Sequence, residues 1–363
     1  SCSTAEVNPL FSDSVYIDRL SRIPAVMEMP YNDIVRKFID MYAGRLRNQV
    51  SFMLSACNFY MPIFEEALDA YGLPLELKYL PIIESALNPS AVSRAGASGL
   101  WQFMIGTGKI YGLESNSLID ERRDPIKATW AAARYLKEMY DIYGDWNLVI
   151  AAYNCGPGTI NKAIRRAGGE TDYWKIYNLL PKETRGYVPA FIAANYVMTY
   201  YCDHNICPME TNIPASTDTV QVNKNLHFEQ IADLCNVPLD QIKSLNPQYK
   251  KQMIPGDSKP YTLRLPIDAI STFIDKQDTI YTHRADELFR NRKTVAIKEI
   301  TPSTRKTTTA VAGKGKLTYY TIKSGDTLST IAGKYGVTIK DIQRWNGMSS
   351  TKIAAGKRLK IYK

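Results

Sequence analysis

Leu77-Lys78-Tyr79-Leu80-Pro81-Ile82-Ile83-Glu84-Ser85-Ala86-Leu87-Asn88-Pro89 sets a single carboxylate inside an apolar, helix-forming run. On a helix Leu80, Glu84 and Leu87 stand at i, i+4 and i+7, so the carboxylate shares a face with the leucines. A carboxyl group held against apolar surface is penalised for ionising. Its pKa rises, and it can then donate a proton near neutrality, as a general acid for glycosidic cleavage must. Taken alone, the run also fits an exposed glutamate near a helix end stopped by Asn88-Pro89.

Outward from this run, three more motifs follow in order: Gly96-Ala97-Ser98-Gly99-Leu100-Trp101-Gln102-Phe103-Met104, Ala152-Tyr153-Asn154-Cys155-Gly156-Pro157-Gly158, and Glu183-Thr184-Arg185-Gly186-Tyr187-Val188-Pro189. Together with Glu84-Ser85 they resemble the soluble-lytic-transglycosylase-like domain, a goose-type lysozyme fold. In particular they resemble the branch called membrane-bound lytic murein transglycosylase D, which couples this domain to C-terminal LysM modules. The resemblance implies that Glu84 is the single catalytic acid/base and that Ser85 anchors its helix. Ser93 and Gln102 match cleft positions near the sugar and its N-acetyl group, and Met104 matches an apolar contact. Tyr153 matches the tyrosine whose hydroxyl bonds the catalytic carboxyl, Asn154 a cleft residue, and Glu183 and Tyr187 the last part of the same wall. Trp101 stands where the commonest pattern has Met, a change that would alter how a sugar ring stacks. Glycines 99, 156 and 158 also fit a purely turn-shaping role, and Tyr153 and Tyr187 also fit a place in the core.

Ordinary glycosidases use two carboxylates, and the four motifs supply only Glu84 and Glu183. The resemblance implies that one suffices. The carboxyl protonates the glycosidic oxygen, the muramyl N-acetyl group assists the oxocarbenium-like centre, and the carboxylate then deprotonates the muramyl C6 hydroxyl. That hydroxyl, already tethered to the ring, attacks C1 and leaves a 1,6-anhydro end. The expected reaction is therefore cleavage of the β-1,4 bond between N-acetylmuramic acid and N-acetylglucosamine without net hydrolysis. A muramidase on the same fold, with Glu183 as second catalytic group, and a non-catalytic cell-wall-binding scaffold are the alternatives.

The fold class expected is α+β and multidomain, a mainly α lysozyme-like domain followed by two small βααβ modules. From Tyr31 to about Tyr201 apolar residues recur at helical spacing. Asn32-Asp33 open one helix, Pro74 a second, Asp124-Pro125 a third running to Tyr143, and Glu183 to Tyr201 form the last. Beyond Cys207 an internal repeat appears at an offset of 100, with Ile231/Ile331, Ala232/Ala332, Val237/Val337, Ile242/Ile342 and Asn246/Asn346 in register. Each copy closes on a short strand, Thr262–Leu265 or Arg358–Ile361. The second copy, opening Tyr319-Tyr320-Thr321-Ile322-Lys323-Ser324-Gly325-Asp326-Thr327-Leu328, resembles the LysM module. That resemblance implies glycan binding between Gly325, Asp326, Thr327 and Leu328 on one side and Trp345 and Asn346 on the other. The first copy has Asn223-Lys224-Asn225-Leu226 instead and reads as a degenerate module. The expected division is an N-terminal extension over 1–30, a catalytic domain over 31–207, a degenerate module over 216–268, a connecting segment and linker over 269–316, and a LysM module over 317–363.

The net charge of +9 over 363 residues is unevenly spread. Residues 290–316 and 317–363 each carry +7, which leaves −5 on the first 289. A basic terminus suits a polyanion or simply solubility. With no recognition helix or aromatic RNA-binding signature, nucleic acid is not an expected partner; peptidoglycan glycan strands are. The uncharged stretch Gly186–Cys202 is shorter than the ~20 apolar residues a spanning helix needs. Ser1-Cys2-Ser3 has the form of a processed lipoprotein, so Cys2 is a candidate for lipid attachment, with an incidental cysteine as the alternative. A cell-envelope, periplasmic location and a monomer are expected. Cys202 and Cys207 could pair in an oxidising compartment. His204, His227 and His283 show no metal-binding spacing, and no metal or cofactor is expected.

Overall fold

The computed structural model describes residues 3–290, 297–300 and 315–362. Cys2 and residues 291–296 and 301–314 of the expected connecting segment and linker therefore lie outside the described residues. The chain forms two compact units, residues 1–300 and 301–363.

Local chemistry sets the helix starts in the first unit. Asn32 caps Asp33–Ala43 by accepting from the Ile34 and Val35 amides, and Asp124 caps Pro125–Tyr143 by accepting from Ile126 and Lys127. Each cap satisfies amides that lack an intrahelical partner. The middle of the core is the helix Tyr187–Tyr200, buried on every side from Tyr187 to Met198, as a helix apolar all round must be. Against it pack Asp33–Ala43, Arg47–Ala70, Leu80–Ser85 and Trp146–Cys155, while Pro125–Tyr143 packs outside, on Arg47–Ala70 and Trp146–Cys155. The expected continuous helix from Glu183 to Tyr201 is instead split into Lys182–Arg185 and Tyr187–Tyr200. The break falls at Gly186, where a Cβ would come 2.9 Å from the Phe38 ring. Residues 3–30, set apart by sequence as an extension, pack onto this same core through Asp13–Ser21, with Tyr16 and Leu20 buried in it. His204, fully buried, bonds Tyr196 Oη at 2.9 Å and Asn8 Oδ1 at 2.7 Å. Cys202 is an exposed free thiol, so the suggested pair with Cys207 is not formed.

The degenerate module adds the strands Thr217–Val222 and Tyr261–Pro266, paired antiparallel, around the helices Phe228–Cys235 and Leu239–Leu245. A second small ladder pairs Asn225–His227 with Met253–Pro255. Its core does not end at residue 268: Ala269, Phe273 and Ile280, from the expected connecting segment, belong to it. So do Leu118 and Ile119 from the catalytic region.

The second unit is a strand-helix-helix-strand module. Leu317–Thr321 pairs antiparallel with Arg358–Tyr362, and Leu328–Tyr335 and Ile339–Asn346 cover the sheet. Both modules use one clamp. Asn246 Nδ2 donates to the Ile242 and Arg264 carbonyls while its Oδ1 accepts from the Arg264 amide. Asn346 does the same with Ile342 and Lys360.

Candidate active site

Glu84 is the next-to-last residue of a short helix, Leu80–Ser85, that follows the 3-10 turn Leu75–Tyr79. The expected helical register through Leu87 is not continued. Ala86 and Leu87 both take the left-handed conformation, with φ of 50° and 58°. Their amides close on the Ile82 and Pro81 carbonyls at 3.1 and 3.3 Å, a double C-terminal closure built without glycine. Leu87 is nevertheless buried. Because the helix stops here, Glu84 sits at its end, facing the start of the central helix at Tyr187.

The Tyr187 hydroxyl donates to Glu84 Oε1. Burial pushes the Glu84 carboxyl up to about 7, the tyrosine's hydrogen bond pulls the other way, and no neighbouring acid contributes. Desolvation thus leaves the carboxyl partly protonated near neutrality, the situation of a general acid. Tyr187 and Tyr153 are both held well above the ordinary tyrosine range, by burial first and by the Glu84 charge second, so both hydroxyls remain neutral donors.

Tyr153 was expected on the carboxyl. Its hydroxyl instead donates to the Trp101 carbonyl at 2.6 Å. The role read for Tyr153 falls to Tyr187, expected only as part of the wall: Tyr187 holds the acid and Tyr153 the loop beside it. Ser85 Oγ lies 2.9 Å from both the Pro81 and Leu100 carbonyls, so the acid's helix is tied to the same loop. Trp101 is fully buried, with Nε1 donating to Thr129 Oγ1 at 2.9 Å and its ring edge-on to Phe64. It packs the core and cannot stack on a sugar, contrary to the expectation.

Gln102 has φ of 52° and spends its amide N–H groups on the Ala91 and Gly99 carbonyls at 3.1 and 2.9 Å. What it can offer a ligand is Oε1. Ser93 shapes the preceding turn, with Oγ accepting from the Ala97 amide at 3.0 Å. Met104 is 45% exposed and starts the helix Ile105–Ile110. Asn154 Oδ1 accepts from Thr184 Oγ1 at 2.9 Å, which joins the third and fourth motifs and leaves the Asn154 amide to donate outward. Glu183 is exposed on the short helix Lys182–Arg185. Sequence reading missed a row of half-buried rings. Tyr135 lies 5.7 Å from Tyr153 and Tyr111 lies 5.2 Å from Tyr135, giving faces against which sugar rings can pack. The spacing signal is weak because the rings come from three different segments.

Also missed was a buried pair that frames the loop. Arg122 donates Nε and Nη2 to the two Asp120 oxygens at 2.9 and 2.8 Å, and Nη1 to the Gly96 and Phe103 carbonyls at 2.8 and 2.9 Å. Gly99 has φ of 88°, and a Cβ there would stand 1.7 Å from the Arg122 carbonyl oxygen. The run Asp120-Glu121-Arg122-Arg123-Asp124 is the only trace of this in sequence.

In the second unit the LysM residues do mainly structural work. Asp326 Oδ2 accepts from Tyr320 Oη and the Lys323 amide, both at 2.8 Å. Thr327 caps the helix Leu328–Tyr335, Leu328 is buried, and Gly325 has φ of 88°. Trp345 is buried edge-on to Tyr362, and Asn346 is committed to its clamp. A glycan at this loop would meet its backbone more than these side chains. Among the described residues no three of His, Cys, Asp or Glu come together to hold a metal ion.

Three family profiles match the chain: the transglycosylase SLT domain over residues 61–176, the lytic transglycosylase MltD LysM-like domain over 216–282, and the LysM domain over 320–361. Membrane-bound lytic murein transglycosylase D of Escherichia coli K12 is 31% identical over 341 residues, which span 92% of this chain and 70% of that one. Soluble lytic murein transglycosylase of the same strain is 33% identical over 124 residues, 32% of this chain and 19% of that one. The cell wall-binding protein YocH of Bacillus subtilis is 44% identical over 69 residues, 19% of this chain and 22% of that one. The solved structure of the 70 kDa soluble lytic transglycosylase of Escherichia coli matches at 28% identity and a TM-score of 0.34, over 40% of this chain and 25% of that one. The chain is a lytic murein transglycosylase of the membrane-bound D family, with an SLT domain followed by LysM-type modules.

Proposed function

We propose that Glu84 is the sole acid/base of this transglycosylase. It cleaves the β-1,4 bond between N-acetylmuramic acid and N-acetylglucosamine and leaves 1,6-anhydromuramyl ends. The observation that carries the reading is the half-buried Glu84 carboxyl, its charged form penalised by desolvation and its pKa held near 7, met by a tyrosine hydroxyl with no acidic neighbour adding to the shift. A group with a pKa close to the working pH can give a proton to the glycosidic oxygen and take one back from the muramyl C6 hydroxyl. Tyr187 stabilises the carboxylate between the two steps. Without a second carboxylate to hold water, the tethered hydroxyl is the better nucleophile. Ser85, Ser93, Gln102, Met104, Tyr153 and Asn154 shape the cleft, with Glu183 at its rim, and all come from one chain, consistent with action as a monomer.

Residues 317–363 serve to retain the enzyme on glycan strands between the Gly325–Leu328 segment and the helix end at Trp345–Asn346, aided by their positive charge. The word membrane-bound in the relative's name supports a cell-envelope, periplasmic location, with attachment through a lipid on Cys2. No helix among the described residues is long and apolar enough to cross a membrane. The test is solubilisation of purified sacculi by the wild type and by Glu84→Gln. Loss of activity in a folded variant is expected, and equal activity would leave the catalytic reading without its acid.

A further inference from the structure

The LysM-like module over 216–282 has a contact with the catalytic region that glycan binding does not explain. Leu118 and Ile119 belong by sequence to the SLT domain, yet both are buried in the module's core, Ile119 completely. Ile119 makes a β-bridge with Tyr249. The Asp120 amide donates to the Gln248 carbonyl and the Lys250 amide to the Leu118 carbonyl, both at 2.8 Å. At the edge of the contact, Tyr261 Oη donates to Glu114 Oε1 at 3.0 Å and Lys259 Nζ meets Glu114 Oε2 at 2.8 Å.

The residues that follow run directly into the active-site loop. Asp120, fixed at its backbone by Gln248, holds Arg122 through two charge-assisted bonds, and Arg122 clasps both ends of the loop at Gly96 and Phe103. Arg123 Nε adds a bond to Ser98 Oγ at 3.1 Å. Within that loop the Leu100 carbonyl holds Ser85, next to the acid, and the Trp101 carbonyl holds Tyr153. An unbroken series of contacts, buried at Asp120 and Arg122 and part-buried at Ser85 and Tyr153, thus runs from the module's core to the neighbours of Glu84. Such a series fixes geometry only where each member has one packed arrangement, and a buried bidentate arginine pair supplies that.

We infer that the first LysM-like module is an intramolecular brace for the active-site loop, with Ile119, Asp120 and Arg122 as positioning residues that keep the Glu84 surroundings closed to water. This rests on Glu84 as the acid. It gives a use to a module that has lost the Gly-Asp-Thr-Leu signature of its second copy while keeping the Asn246 clamp.

The test uses the full chain. Ile119→Ala opens a void in the module's core at the brace, and Tyr261→Phe removes one hydroxyl at the edge of the contact. Rates are measured against pH on a soluble tetrasaccharide of alternating N-acetylglucosamine and N-acetylmuramic acid, and amide hydrogen exchange is followed at Ser98, Gly99 and Gln102. For Ile119→Ala the expected result is a kcat lower by about ten-fold, KM changed by less than about three-fold, and recovery in Ile119→Val. The loss of activity on the alkaline side should move about one pH unit toward acid, because water admitted beside Glu84 lowers its pKa. Exchange at the three amides should quicken in both variants, less in Tyr261→Phe. A folded Ile119→Ala with wild-type kcat, pH profile and exchange overturns the inference. If Ile119→Ala does not fold, unchanged exchange in Tyr261→Phe overturns it. The exchange readout needs no catalysis, so a wild-type enzyme with Glu84 disproved as the acid would still leave the brace open to test.

Discussion

Replacing Glu84 by Gln should make the protein more stable as pH rises while abolishing its activity. The carboxyl is raised from its ordinary 4.5 to about 7 in the folded protein. Between those values the unfolded chain releases the proton and the folded one keeps it, so stability falls as pH climbs from 4.5 to 7 and is lowest above 7. At 1.36 kcal/mol per pKa unit, this destabilisation reaches at most ~3 kcal/mol at pH 8 and nearly vanishes at pH 4. Gln has the same shape, and its carbonyl oxygen can still accept from Tyr187, but it carries no charge to desolvate. Whatever pH-independent cost its amide adds cancels when the two pH values are compared. Thermal unfolding of the catalytic region should therefore show the gap between the Glu84→Gln variant and the wild type widening by ~3 kcal/mol from pH 4 to pH 8. That corresponds to about 6–12 °C for a domain of this size. Parallel curves would refute the claim that burial, rather than a partner charge, sets the proton affinity of Glu84.

Tyr187→Phe removes the hydrogen bond that favours the ionised carboxyl, so the alkaline fall of kcat/KM should move up by about 1 pH unit; a profile that stays in place would contradict the assigned contact. His204 is buried and lowered to about 4 from its ordinary 6.5. The unfolded chain then binds the extra proton first, so stability present above pH 6.5 is lost as pH falls toward 4, by ~3 kcal/mol, and His204→Gln should flatten that part of the stability curve. Gly99→Ala places a Cβ 1.7 Å from the Arg122 carbonyl in a left-handed backbone and should cost at least ~2 kcal/mol together with most activity; a stable, active variant would count against the loop geometry. Asn346→Ala should lower the melting temperature of the LysM module by removing its clamp, at a cost of ~1–3 kcal/mol, rather than weaken glycan binding alone.

What the sequence disclosed and what it hid divide along physical lines. Helix starts at Asn32 and Asp124 were legible because capping is chemistry between residues two or three apart. The repeat was legible because both modules must bury the same positions and close with the same asparagine. The left-handed stop at Ala86 and Leu87 was not, since neither residue signals it and only the surrounding fold sustains it. Tyr153 and Tyr187 could not be told apart, because each hydroxyl meets its partner across more than fifty residues of chain. Trp101, where the commonest pattern has Met, suggested a change in sugar stacking; burial against Phe64 and Thr129 decides otherwise. Nothing local marks Leu118-Ile119 as core, because the module that buries it begins about a hundred residues later.

The most direct measurement is mass spectrometry of the sugar ends released from purified sacculi digested in water enriched in heavy oxygen. Cleavage by Glu84 through the tethered C6 hydroxyl is expected to give 1,6-anhydromuramyl ends with no heavy oxygen, and none at all from Glu84→Gln. Ordinary reducing ends carrying the heavy oxygen would contradict the account and identify a hydrolase on the same fold.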